Sequence, residues 1–130
     1  MALDYLTIGS TDIAKSRIYY DAILPLLGGT VEMEIPDQAF CIKLSNNVRI
    51  WITKPQNGEA ADHGNGWTVG LKTDSEEKVK ALYAAALANG GSSEGEPGPR
   101  PMYGPDFYGA YARDPDGNKM SFFYLMVAEN

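Results

Sequence analysis

The side chains that most often carry catalysis or metal are scarce in this 130-residue chain: one histidine, His63, and one cysteine, Cys41. A single histidine excludes multi-histidine zinc centres and zinc fingers. A single cysteine excludes an internal disulfide. His63 sits in a Gly/Asn-rich stretch, AADHGNG, and reads as a solvated loop residue. Cys41 reads as a small buried apolar residue, a reactive thiol being the alternative. Any metal would need mostly carboxylate ligands. Aromatic, hydroxyl and guanidinium groups are more plentiful, and together they suit a pocket for a small organic molecule. Strand alternation sorts them. With Leu6, Ile8, Val69, Leu71, Met120 and Phe122 beneath helices, the alternate set Tyr5, Thr68, Ser121 and Phe123 faces a cavity. By the same rule Val48, Ile50 and Ile52 pack inward, leaving Arg49 and Trp51 on the cavity side, and Tyr108 is assigned to that side with Ala110 and Ala112.

The elements that must position these groups repeat. Residues 7–29, TIGSTDIAKSRIYYDAILPLLGG, lie over residues 69–91, VGLKTDSEEKVKALYAAALANGG, without a gap, so Thr11-Asp12 falls on Thr73-Asp74 and Gly28-Gly29 on Gly90-Gly91. Helix start and stop signals therefore coincide in the two halves. The first helix carries Ile13, Tyr20, Ile23, Leu24 and Leu27 on its apolar face and is stopped by Pro25. The second carries Val79, Leu82, Tyr83, Ala86 and Leu87, with Asp74 and Glu77 capping its start and Gly90 its end. Three alternating strand candidates follow the first helix. After the second come a short strand near Ser92–Glu96 and two more flanking the Asp114-Pro115-Asp116-Gly117 turn, Phe107–Arg113 and Asn118–Val127. The pattern predicts an α+β domain of two tandem βαβββ modules, about 1–54 and 66–130 joined by a connection at about 55–65. Together they form a curved mixed sheet with a concave cleft and helices on its outer face. The Pro/Gly-rich segment Glu94–Asp106, a long run without an element of its own, reads as either disordered or functional, and it holds Arg100 and Tyr103. Arg100 is expected to meet either Asp106 or an anionic ligand.

Eleven Lys and Arg against 17 Asp and Glu leave a net charge of −6, which disfavours nucleic acid and anionic membranes as partners. No apolar run reaches membrane-spanning length, and the first residues lack the basic and apolar regions of a secretory signal. With its lone cysteine, the chain is expected in a reducing cytoplasm.

Two βαβββ modules closed by a late Asp-Pro-Asp-Gly-Asn hairpin resemble the vicinal oxygen chelate superfamily: glyoxalase I, bleomycin-resistance proteins and extradiol dioxygenases. LDYLTIGSTDIAKSRIYYDAIL resembles that family's first strand and helix, and RPMYGPDFYGAYARDPDGNKMSFFY its last two strands. The resemblance implies metal ligands in the first strand, the fourth strand, the opening of the second module and the final strand. Here those positions hold Tyr5, the region of Trp51, Thr68 and Ser121, none a usual ligand, so a metal-free and cofactor-free site is expected. The resemblance implies either sequestration of a small molecule, as bleomycin-resistance members hold a cationic drug, or a lyase, isomerase or dioxygenase-type enzyme. In the enzyme, Tyr5 or His63 would carry the proton, although a phenol with an ordinary pKa of about 10 is a poor base at neutral pH. It also implies a homodimer, and it implies that Glu94–Asp106 forms a lid over the cleft with Arg100 and Tyr103 at its mouth.

Overall fold

The computed structural model describes residues 2–126. Strand β1 (Tyr5–Gly9) leads into helix α1 (Ile13–Ile23), whose first turn is capped by the Asp12 carboxylate accepting from the Lys15 amide at 3.2 Å. Pro25 ends the α-helix as the sequence requires, and Leu24–Leu27 continue as a 3-10 turn. Strands β2 (Thr30–Ile35), β3 (Ala39–Lys43) and β4 (Arg49–Thr53) complete the first module. The second repeats the order: β5 (Val69–Lys72), α2 (Glu76–Ala88), β6 (Ser92–Pro99), β7 (Phe107–Arg113) and β8 (Lys119–Leu125). The expected last residue of the final strand, Val127, lies outside the described residues.

Each module forms a four-stranded mixed sheet, ordered β1-β4-β3-β2 and β5-β8-β7-β6, with β1 parallel to β4 and β5 parallel to β8. The twin glycines explain why the repeat is visible in sequence. Gly28 and Gly90 adopt φ of +66° and +98°, the left-handed turn that ends a helix. Their neighbours leave no room for a side chain: a Cβ on Gly29 would lie 2.8 Å from Leu24 Cδ2, and one on Gly91 2.7 Å from the carbonyl oxygens of Ala86 and Arg113. One structural detail differs from expectation. The cap of α2 is Ser75, whose hydroxyl accepts from the Lys78 amide at 3.1 Å, rather than Asp74; the shift of one residue leaves Glu76 and Glu77 in the first turn, where the helix dipole favours them.

The helices cover one face of the sheets. Tyr20, Ile23, Val79, Leu82 and Ala86 are buried against Phe40, Ile52, Met120 and Phe122. Tyr19 joins them although its neighbour Tyr20 is already inward. Helix α1 lies between the two modules and so buries two adjacent flanks, with the Tyr19 hydroxyl on Met120 S at 3.2 Å and Tyr20 edge-on to Phe40. A polar clasp ties the modules at the same seam. Tyr20 donates to the buried Asp114 carboxylate at 2.6 Å, Asn118 Nδ2 donates to the Gly9 carbonyl at 2.9 Å, and the Thr11 amide donates to Asp116 at 2.8 Å. No helix among the described residues is long and apolar enough to cross a membrane.

Candidate functional site

Away from the helices each sheet presents a second face, solvent-exposed at Tyr5, Thr7, Met33, Ile35 and Gly70. The expected site residues divide between these two faces. On module one, Tyr5 sits opposite Arg49, and Trp51 lies between Thr7 and Cys41. Arg49 is not free to meet a ligand: its guanidinium donates to both oxygens of Glu32, at 2.6 and 3.3 Å, and Lys43 approaches the same carboxylate at 3.8 Å. The Arg49 hydrogen bond holds the Glu32 carboxyl below the usual range, and Glu32 in turn raises Arg49. Burial, then the Glu32 charge, pushes the Cys41 thiol up, so it stays protonated and unreactive.

On module two, Ser121 and Phe123 project from β8 beside Gly70 of β5. Phe107 stacks on Phe123 with ring centroids 5.1 Å apart and an 11° interplanar angle, and Tyr103 meets Phe107 edge-on at 5.6 Å. Gly109 makes the stack possible: a Cβ there would lie 2.9 Å from the Phe107 ring. Tyr111 lies opposite Ser121; burial, then the neighbouring Tyr103, raises its pKa while Arg100 opposes. Arg100 lies 5.6 Å and Lys119 5.4 Å from the centre of the Tyr111 ring.

Tyr108 requires a correction. It pairs with Tyr124 on the helix side of the sheet, 6% exposed, in the core with Ala110 and Ala112. Residues directly opposite in an antiparallel pair share a face. Ala112 opposes Met120 and Ala110 opposes Phe122, both core residues, so the whole even-numbered set of β7 goes inward. The residues on the open face are Phe107, Gly109 and Tyr111. The five-residue hairpin from Asp114 to Asn118 carried this signal, because it sets Arg113 against Lys119 and thereby fixes the phase of β7.

The lid also differs. Through Pro99 the segment is an edge strand paired to β7, with register irregularities around Gly95 and Gly98; an outer strand tolerates Pro97 and Pro99 because their missing N–H groups face no partner. Arg100 does not pair with Asp106. It donates to the carbonyls of Glu96, Gly98 and Pro99 at 2.6, 3.0 and 3.3 Å, which fixes its charge over Tyr111. Tyr103 follows in a 3-10 turn, against Phe107. Thr68 precedes β5 and is exposed. His63 packs near Gly117 and, with Trp67 and Thr7, lines a recess of about 190 Å³ that sequence reasoning did not anticipate. A larger recess of about 510 Å³ lies at the module seam, lined by Leu26, Leu27, Leu44 and Leu71 with the Asp74–Lys78 pair at its rim; it reaches Gly70 on the open face of module two and contains no aromatic ring.

The family model for the Glyoxalase/Bleomycin resistance protein/Dioxygenase superfamily matches residues 2–122. The chain belongs to this superfamily. Among solved structures, a glyoxalase/bleomycin resistance protein from Albidiferax ferrireducens T118 is 36% identical, with a TM-score of 0.83 over 95% of this chain and 98% of that one. A glyoxalase-related enzyme from Fulvimarina pelagi (18% identity, TM-score 0.78, 95% and 88% covered) shares the fold. So does lactoylglutathione lyase from Agrobacterium tumefaciens (18%, 0.66, 95% and 92%). Comparison with curated proteins gives no significant match.

Superfamily membership raises the question of a metal, and the donor set does not fit one. Tyr5, Trp51, Thr68 and Ser121 stand where the resemblance places ligands, offering a phenol, an indole and two hydroxyls in place of imidazoles and carboxylates. Among the described residues no three His, Cys, Asp or Glu side chains converge as a metal site would need. Two carboxylates beside the open faces, Glu32 and Glu94, are held by Arg49 and by Arg113, each at 2.6 Å.

Proposed function

We propose that this superfamily member binds a small planar organic molecule on the open face of module two without a metal, in the cytoplasm, and that a second copy closes the site with the open face of module one. The observation that carries the reading is the Tyr103–Phe107–Phe123 ring ladder beside Ser121, on a sheet face that the helices leave uncovered. Stacked rings bind flat ligands through apolar contact, and the hydroxyls of Ser121, Tyr103 and Tyr111 offer hydrogen bonds at the edge. Dimer closure is supported by what module one exposes: Tyr5, Met33 and Ile35 are 47 to 58% accessible. Such a group of large apolar side chains on one sheet face suits burial against another surface. Tyr5 and Trp51 would then join the ligand from the partner copy.

Chemical-shift mapping with a set of metabolite-sized aromatic compounds tests this. Perturbations centred on Phe107, Ser121 and Phe123, weakened about 3- to 10-fold in Phe123→Ala, support it. Perturbations confined to the leucine-lined seam would refute it. Hits bound without turnover would favour sequestration over the lyase, isomerase or dioxygenase alternative. Turnover abolished by Tyr5→Phe would favour the enzyme.

A further inference from the structure

The geometry points to an anionic ligand: the open face of module two is built for a planar ring bearing a carboxylate or similar negative group, and against a cation. The inference rests on reading that face as a ligand site. The chain as a whole carries −6, yet the polar end of this face is cationic. Arg100 and Lys119 lie over the Tyr111 ring, and Glu94, the carboxylate paired in this corner, is bound to Arg113 at 2.6 Å and feels Lys119 more weakly. Arg113 also donates to the Gly117 carbonyl at 2.6 Å, so its charge is tied down. Arg100 is held by three carbonyl groups, which orient it without neutralising it.

An aromatic face attracts a cation through its quadrupole, so a cleft meant for a cationic drug should present bare ring faces. Here the electron-rich Tyr111 ring already has Arg100 and Lys119 over it. An arriving ammonium would meet two positive charges at the one polar ring of the floor. An arriving carboxylate would meet them as partners, while its ring lay along Phe107 and Phe123. Room for the ring's edge exists at Gly70, where a Cβ would be 3.5 Å from both Ser121 Oγ and the Phe123 ring. The missing side chain leaves a shallow slot, and no left-handed backbone obliges the residue to be glycine.

Three probes of one shape separate the terms: 1-naphthoate, 1-naphthylmethylammonium and neutral 1-naphthalenemethanol, titrated into the isotope-labelled protein at low and high salt. Naphthoate should bind at least about tenfold more tightly than the ammonium at low salt, with the gap narrowing as salt screens the exposed charges. Lys119→Gln should weaken naphthoate by about 3- to 5-fold and leave the alcohol unchanged, while Lys119→Arg restores naphthoate binding. Gly70→Leu should block all three. Equal or tighter binding of the ammonium at Phe107 and Phe123 would overturn the anion assignment and leave the ligand site standing. A naphthoate preference indifferent to both Lys119→Gln and Arg100→Gln would also overturn it, since the charge would then come from elsewhere. If no probe perturbs this face, the site reading fails and the inference fails with it.

Discussion

The Tyr20 hydroxyl offers a measure of how firmly the two modules are fixed to each other. It is 1% exposed and donates at 2.6 Å to Asp114, itself 3% exposed across the module seam. Asp114 accepts three further bonds, from the Asn118 side-chain and backbone amides and the Asp116 amide, each at 2.9 Å. Tyr20→Phe keeps the ring and removes one charge-assisted bond, with no cavity, so the loss should be about 1.5–3 kcal/mol at neutral pH. For a domain of this size that lowers Tm by roughly 5–10 °C. The pH dependence is the sharper test. Burial raises the Asp114 carboxyl above the usual range, while the Tyr20 and Asn118 bonds pull it back. Burial and Asp114 raise Tyr20 well above the ordinary phenol range, so it keeps its proton throughout. Because the native carboxyl titrates above its unfolded value, the stability it contributes is full below the ordinary aspartate pKa of about 4 and is lost as pH rises through the native value. Removing the Tyr20 bond raises that native value further. The deficit of Tyr20→Phe must therefore be largest at neutral pH, where Asp114 is ionised, and shrink as pH falls toward the ordinary aspartate value of about 4, where a protonated carboxyl accepts a weaker bond. Urea unfolding of both proteins at the two pH values measures this. A deficit below about 0.5 kcal/mol at neutral pH, or one that grows on acidification, would refute the account of the clasp.

Other outcomes follow from the same geometry. Gly91→Ala forces a Cβ against two carbonyl oxygens and the Tyr19 ring and should cost about 3 kcal/mol or more by thermal unfolding; Gly29→Ala, opposed mainly by the movable Leu24 side chain, should cost less. Light scattering should show a dimer that Ile35→Lys converts to monomer without loss of folding, since Ile35 is 47% exposed. Elemental analysis after expression in metal-supplemented medium should find no stoichiometric transition metal, as the hydroxyl, phenol and indole groups at the ligand positions lack the basicity to hold one.

The architecture was legible because its punctuation is local. Asp12 caps its helix with its own side chain, Pro25 stops it, and Gly28 and Gly90 each supply a left-handed turn; none of these signals depends on distant residues, although the crowding that fixes Gly29 and Gly91 comes partly from Lys43, Arg113 and Tyr19. Site assignment required knowing which face of each strand is covered, and that is settled by partners far along the chain. In β8 the alternation of Met120 and Phe122 against Ser121 and Phe123 was sufficient. In β7 it was not, because Ala110 and Ala112 are small enough to line a cavity and equally small enough to fit beneath α2. Only the hairpin register distinguishes the two, and it moves Tyr108 into the core while bringing out Phe107 and Tyr111. The misplaced lid has a similar cause: four prolines suggest a loop, yet an edge strand accommodates proline wherever its outer side has no partner. Glycine within the strands was the underused signal. Gly109 lets the Phe107 ring lie on the sheet and stack with Phe123, and Gly70 opens the slot beside Ser121. In an otherwise β-branched and aromatic sheet, positions without a side chain weaken the strand. Of the two on this open face, Gly109 is accounted for by the Phe107 ring that lies over it, whereas Gly70 is exposed, with a Cβ still 3.5 Å from its nearest neighbours, and under the proposed reading it is the position that leaves space for a ligand beside the fixed cations of Arg100 and Lys119.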